Sequence, residues 1–368
     1  YVSTGFIPLP HWRRTTIRGE TPPIDPGDHP ALLTFTTGST GRPKAIARGH
    51  EFLLTQHRIL KDHMDLGPDD VDMPTLPVFL LHSLAGGAAC VLADADLRRV
   101  GSVDPRKVIA QMKREKVTSI SGSPAFLGPL ARHLLEQGQT MPQLRRLDTG
   151  GARVPARTLR DLIQAFPNAD VTVLYGSTEA EPIALLGARE NLDELEAGER
   201  SGRGALVGAP VPQIAVRVVN DEVQVAGPHV NPRYYQDPDA DTENKVIEGD
   251  RIWHRTGDAG AIDAQGRIWL LGRAGKTIAG RWPMTVEAPA ELLPFVKKAA
   301  LVELNGEARV AIQLADDPPL DWAQQIVNAV GVPPIVLDVI PVDPRHNAKV
   351  DRRRLAERLQ DPDARGSF

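Results

Sequence analysis

Hydrophobic and polar positions along the chain follow two periods, and their order predicts a layered α/β protein. Ala31-Leu32-Leu33-Thr34-Phe35 reads as a short strand running into a Gly/Ser/Thr-rich turn, Thr36 to Gly41. Glu51 to Met64 reads as a helix. Pro105 to Lys116 puts Pro near a helix start and Val108, Ile109 and Met112 on one face, and Val117 to Ser121 follows as a strand. Ala156 to Phe166 repeats this, with Leu159, Leu162, Ile163 and Phe166 at helical spacing before a strand over Val171 to Leu174. Strands and helices alternating in this way imply parallel α/β layers. From about Ile214 the texture becomes mostly β, with strands over Ala215–Val219, Glu222–Val225 and Arg267–Leu271.

After Gly272-Arg273 a small α+β pattern begins. Its strands are Ala299–Leu304, Arg309–Leu314 and Ile335–Ile340, and its helix is Asp321–Ala329. We therefore expect two domains, 1–273 and 274–368, joined near Ala274 or Gly275, where small residues permit rotation. The first 30 residues, with several prolines, read as an extended lead-in. The apolar stretch Pro77 to Ala93 is broken by His82, Ser83, Gly86 and Gly87 and is shorter than the about 20 residues of a bilayer span. It reads as a buried strand and a helix start.

Composition narrows the function classes. The 368 residues suffice for two or three domains with a full core. A net charge of −4 without a basic cluster argues against a nucleic-acid surface. The single Cys90 excludes an internal disulfide or a CxxC site, and its apolar surroundings suggest an inert core thiol. No charged leader precedes an apolar run, so cytoplasmic residence is expected. The first residue is Tyr1, which predicts either a fragment or a shortened lineage.

Four segments carry candidate chemistry. In Thr36-Thr37-Gly38-Ser39-Thr40-Gly41-Arg42-Pro43-Lys44, glycines let the backbone approach an anion, hydroxyls and N–H groups donate to phosphate, and Lys44 adds a point charge. It lacks the spacing of a Walker A loop. Gly150-Gly151-Ala152 and Tyr175-Gly176-Ser177-Thr178-Glu179 fall where strands end in open α/β sheets. There Tyr175 offers a face to a base, Thr178 a hydroxyl to phosphate and Glu179 a carboxylate to Mg²⁺; the plainer alternative makes Glu179 the cap of a helix. Asp258 in His254-Arg255-Thr256-Gly257-Asp258 suits a ribose diol, with Arg273 fifteen residues on, or simply a β-turn. Lys349 lies among arginines near the end, a run that is commonly just solvated.

Taken in order, TTGSTGRPKA, GGAR, YGSTEA, HRTGDAGAID with GRIWLLGR, and RHNAKVDRRRL resemble the adenylate-forming superfamily of acyl-CoA synthetases, peptide-synthetase adenylation domains and luciferases, from about Pro30 to Leu359. The resemblance implies a large adenylation domain of layered α/β sheets with a β-rich module, and a small mobile α+β C-terminal domain. It implies ATP and Mg²⁺, with acyl-AMP formed and pyrophosphate released before a nucleophile displaces AMP. By motif, Thr36 to Lys44 hold the β- and γ-phosphates, Gly150, Gly151 and Ala152 line the adenine, and Tyr175 stacks on it beside Gly176. Thr178 meets the α-phosphate, Glu179 the metal, Asp258 and Arg273 the ribose. Lys349 bridges carboxylate and α-phosphate.

Longer strings, Asp72 to Phe79, Gly122 to Ala125, Tyr175 to Ala180 with Pro182, and Val342 to Lys349, are similar to olefin-pathway β-lactone synthetases. That implies a 3-hydroxy fatty acid whose own hydroxyl expels AMP. An acyl-CoA ligase and a non-catalytic nucleotide-binding paralogue are the alternatives. The expected partners are a small carboxylic acid and enzymes of the same pathway, with CoA use left open. Departures from the family pattern are Gly275 at the hinge position, Lys276 to Pro283 in place of a Lys-x-x-Gly step, Leu80 where relatives often carry His, with His82 read as structural, and only 35 residues before Thr36.

Overall fold

A computed structural model describes residues 29–37, 43–343 and 349–360. Strands β1 (Leu32–Thr37) and β2 (Pro43–Arg48) form a separate antiparallel hairpin in which Thr36 faces Lys44 across the register. Gly38, Ser39, Thr40 and Gly41 of the expected phosphate loop lie outside the described residues, as does Pro344 to Ala348. Helix α1 (His50–Lys61) follows, ending three residues short of the expected Met64.

The apolar stretch becomes helix α2 (Pro77–Ala85) between strands β3 (Val71–Pro74) and β4 (Ala89–Cys90). Cys90 is half-buried on this short terminal strand, so it is not the core thiol expected; burial, with Asp72 nearby, pushes it up to about 11. His82 is buried, with Nε2 2.9 Å from the Met64 carbonyl oxygen and Nδ1 3.0 Å from His57 Nδ1.

Helices α3 (Pro105–Arg114) and α4 (Pro124–Glu136) start alike, with Pro at the first helical position behind a capping side chain. Asp104 accepts from the Arg106 N–H at 3.0 Å, and Ser123 from the Phe126 N–H at 3.3 Å. The Ser123-Pro124 pair was thus a helix-start signal that the hydrophobic period did not bring out. Strands β5 (Ser119–Gly122), β6 (Arg146–Gly150) and β7 (Asp170–Ser177), with helix α5 (Ala156–Ala165) between the last two, complete a parallel layer in the order β4-β3-β5-β6-β7. Met112, Phe126, Leu130, Leu147, Leu159 and Phe166 pack one face into the main core.

The chain then reverses. Strand β8 (Ala180–Gly187) pairs antiparallel with β7 through a turn at Thr178-Glu179, so Glu179 does not cap a helix. After helix α6 (Ala188–Arg200) come β9 (Ala205–Pro210), β10 (Ala215–Val219), β11 (Glu222–Ala226), helix α7 (Pro238–Asn244), β12 (Lys245–Glu248), β13 (Arg251–Ile262) and β14 (Ile268–Arg273). These β-rich residues join the parallel layer in one sheet, β10-β11-β13-β14-β9-β8-β7-β6-β5-β3-β4, with β12 on β13. Strands β8 and β9 meet in a short pairing at Ala184–Leu185. Gly208 (φ +96°) is required beside it, since a Cβ there would lie 1.9 Å from the Leu185 carbonyl oxygen.

The remaining residues build a second sheet, β15 (Val296–Leu304), β16 (Glu307–Leu314) and β17 (Pro334–Val336), with helices α8 (Pro283–Glu291), α9 (Trp322–Val330) and α10 (Arg352–Gln360). The expected strand Ile335–Ile340 is shorter than read, because pairing with β16 stops at Val336. Val296, Leu301, Val310, Ile312 and Ile326 form this module's own core. It meets the main body through a buried ion cluster: Arg153 pairs with Glu199 of α6 at 2.8 Å and with Glu291 of α8, while Arg157 donates to the Val296 and Lys297 carbonyls. No helix among the described residues is long and apolar enough to cross a membrane.

Truncating Arg153 leaves two buried carboxylates without their shared cation. Arg153→Ala is therefore expected to cost about 3–5 kcal/mol in urea unfolding. Adding Glu199→Gln and Glu291→Gln to that variant should recover part of the loss; a single-variant cost below about 1 kcal/mol would show that the cluster does not hold the module.

Candidate active site

The candidate residues gather where the sheet changes from parallel to antiparallel, the usual ligand position in open α/β sheets. Gly150 ends β6 with its backbone against β7: an added Cβ would lie 2.4 Å from the Leu174 carbonyl oxygen. Gly151 (φ +80°) then turns the chain, and Ala152 follows half-buried. At Gly176 the β7–β8 register shifts, a bulge that re-aims the two turn residues Thr178 and Glu179.

Tyr175 is buried, and its hydroxyl donates to Asp258 Oδ2 at 2.9 Å, while Arg273 donates to Asp258 Oδ1 at 2.6 Å. Asp258 and Arg273 are direct partners across β13 and β14. Burial, reinforced by the Asp258 charge, pushes the Tyr175 phenol well above its ordinary value, so it stays a neutral donor. No β-turn forms at this motif: Gly257 (φ +68°) is a kink within β13, where a Cβ would lie 2.6 Å from Arg273 Nη2. The Gly257 carbonyl accepts from the Ala274 N–H at 2.9 Å.

Glu179 sits in a second cluster. Its Oε1 accepts from the Tyr234 hydroxyl at 2.9 Å. Lys44 and Lys245 place their amines 5.4 and 5.3 Å from the Tyr234 ring centre. Lys44 also pairs with Glu243 at 3.2 Å, and Lys245 donates to the Asn231 carbonyl. Burial and the Lys245 charge push the His254 imidazole down to about 4, and burial pushes Lys245 down to about 8. Burial would raise Glu179, but the His254 ring, the Tyr234 hydroxyl, its own N–H and the Ser177 hydroxyl hold it below its usual range.

Three buried side chains lock this turn to the hairpin. Arg48 of β2 donates to the Thr178 carbonyl at 2.7 Å, and Gln56 of α1 to the Glu181 carbonyl at 2.7 Å. The Asn231 N–H donates to the Glu179 carbonyl at 2.7 Å and its Nδ2 to the Ala47 carbonyl at 2.9 Å. Thr36, Lys44, Thr178 and Glu179 are thereby joined in one framework, with Gly150, Tyr175, Gly176, Asp258 and Arg273 alongside. Lys349 instead stands exposed in the C-terminal module, its carbonyl accepting from the Asp343 N–H at 2.8 Å.

Arg48, Gln56, Asn231, Tyr234 and Lys245 were not singled out in the sequence, and His254 only as the first residue of the motif ending at Asp258, with no role of its own. One signal was available: Lys44, Ile46 and Arg48 share the buried face of β2, so two cations occupy core-facing positions of a strand. For the others there was none, because their neighbours come from far along the chain.

Among the described residues no group of three His, Cys, Asp or Glu side chains could hold a metal by itself. Mg²⁺ commonly takes one or two carboxylates and completes its shell with water and substrate phosphates, and the ionised Glu179 fits that mode.

This fold and site define an adenylate-forming ligase, and the chain belongs to the AMP-binding enzyme family, which matches residues 7–234. It is 31% identical to the olefin beta-lactone synthetase of Stenotrophomonas maltophilia, over 90% of this chain and 67% of that protein. It is 29% identical to the long-chain-fatty-acid–CoA ligase of Thermus thermophilus, over 74% of this chain and 53% of that protein. The O-succinylbenzoate coenzyme A synthetase of Bacillus subtilis, solved with ATP and magnesium ion, shares the fold at a TM-score of 0.70 and 22% identity, over 89% of this chain and 70% of that one. The chain spans about two-thirds of the length of the olefin beta-lactone synthetases it matches.

Asn231→Ala removes the side-chain bond to Ala47, one of the ties between β2 and the Glu179 turn, and leaves that of Arg48. The expected cost is about 1–3 kcal/mol, with faster amide exchange at Ala45 to Arg48 than elsewhere in the sheet. Unchanged exchange in that strand would contradict the bridging role.

Proposed function

We propose that this protein uses ATP to activate a carboxylic acid as acyl-AMP, and that the acid is a 3-hydroxy fatty acid which closes to a β-lactone. The observation carrying this reading is the tie between the β1–β2 hairpin and the Thr178-Glu179 turn, next to the Tyr175–Asp258–Arg273 chain of the main sheet. The similarity to olefin beta-lactone synthetases over nine-tenths of the chain supports the choice of substrate.

In the first step a carboxylate oxygen bonds to the α-phosphorus and the bond to the pyrophosphate oxygen breaks. Lys44 and Thr178 meet the phosphate charge together with the hydroxyls and N–H groups of the Thr36 to Gly41 motif, and donors aimed at developing charge are worth most where water is excluded. Asp258 and Arg273 hold the ribose, and Gly150 to Ala152 with Tyr175 form the adenine wall. Glu179 holds Mg²⁺, which when bound neutralises phosphate charge. Lys349 enters with the 274–368 module and bridges the two substrates. In the second step the 3-hydroxyl oxygen bonds to the acyl carbon, AMP leaves with the electron pair of its bond, and the hydroxyl proton is released. Being intramolecular, this step needs no thiol.

An acyl-CoA ligase is the second reading, favoured by the likeness to the Thermus thermophilus enzyme. Pyrophosphate release that requires a 3-hydroxy acid and no CoA, with lactone as product, is the expected result. Thioester formed from plain fatty acids plus CoA would decide for the second reading. Lys349→Ala should lower pyrophosphate release at least about 100-fold with ATP affinity nearly unchanged. Full release in that variant would remove Lys349 from the mechanism.

A further inference from the structure

Lys245 has no place in the chemistry above, yet it opens β12 directly against the metal carboxylate's hydrogen-bond partner. It is buried, its cross-strand neighbour is His254, and its amine lies against the Tyr234 ring whose hydroxyl binds Glu179. Lys44, the other amine at that ring, is paired with Glu243. Lys245 donates to a carbonyl, that of Asn231, instead of a carboxylate. Asp241 turns towards the Tyr234 N–H, which it accepts at 2.6 Å. Lys245 is thus a buried positive charge that interacts electrostatically with Glu179, adding to Arg48, and that no carboxylate holds in a direct ion pair among the described residues.

The effect depends on what the cation carries. A bare divalent ion has the same sign as Lys245, and in a partly desolvated site the repulsion is only weakly screened. The same ion bound to the phosphates of a nucleoside triphosphate is part of a net anion, which the ammonium attracts. We propose that Lys245 makes Glu179 a seat for a divalent cation arriving on a nucleotide's phosphates and excludes the free cation. This rests on reading Glu179 as the metal carboxylate, and it makes Lys245 a positioning and selectivity residue that need not touch the metal.

The test is Mn²⁺ titration by electron paramagnetic resonance at pH 7, with and without a non-hydrolysable ATP analogue. Lys245→Gln keeps a donor for the Asn231 carbonyl and removes the charge. It should bind free Mn²⁺ about tenfold tighter and the Mn²⁺–nucleotide complex about tenfold more weakly. Lys245→Met should shift both in the same opposed directions, and Lys245→Arg should restore the wild-type pattern. A structural defect would weaken both affinities together, so shifts of one sign, or none, overturn the proposal. Glu179→Gln separates the two ideas. If it loses Mn²⁺ while the Lys245 variants show no opposed shifts, the role of Lys245 alone is wrong. If it binds Mn²⁺ unchanged, the assignment of Glu179 falls, and the proposal with it.

Discussion

A buried guanidinium holds the site together. Arg48 is 1% exposed, and burial pushes it below its ordinary value despite the nearby Glu181 and Glu179 carboxylates. A charge so placed needs partners, and its two terminal nitrogens find them in Gln56 and the Thr178 carbonyl, while the buried Nε has none among the described residues. Those bonds tie the β1–β2 hairpin, which pairs with no strand of the main sheet, to the turn bearing Thr178 and Glu179. The parts proposed to bind phosphate and metal come from elements about 130 residues apart, and this contact brings them into register.

The sheet explains why the site falls where it does. Parallel strands β3 to β7 need helical crossovers, so their carboxyl ends are left bare on one edge of the layer. At β8 the direction reverses, and the hairpin turn puts two side chains at that edge without a helix covering them. Continuing the same sheet into β13 and β14 carries Asp258 and Arg273 to within reach of Tyr175. One continuous sheet thus brings together groups from positions 150 to 273.

Much of this was legible in the sequence, for identifiable reasons. Helices α3 and α5 announced themselves through apolar residues at helical spacing, and the glycine-rich motifs stood at backbone irregularities, a bend at Gly151 and a positive-φ residue within β13 at Gly257. Strands β8 and β13 were less visible. Ala180 to Gly187 is apolar nearly throughout, as a strand buried on both faces is, and Arg251 to Ile262 reads as a turn until its register with β14 is known. The break near Ile214 fell within the antiparallel half of one sheet, whose change of direction comes earlier, at β8. The companions of Glu179 were illegible because Tyr234, Lys245 and His254 acquire meaning only by converging on it from far along the chain.

The hydrogen bond from the Ala274 N–H to the Gly257 carbonyl links two places with different tasks. It joins the connector at Gly275 (φ +66°) to the kink in β13 that presents Asp258, whose partner Arg273 immediately precedes the connector. Backbone rotation there would pull on the strand end that holds the Asp258–Arg273 pair. Under the proposed function, swinging the C-terminal module and loosening the nucleoside would be geared to one another.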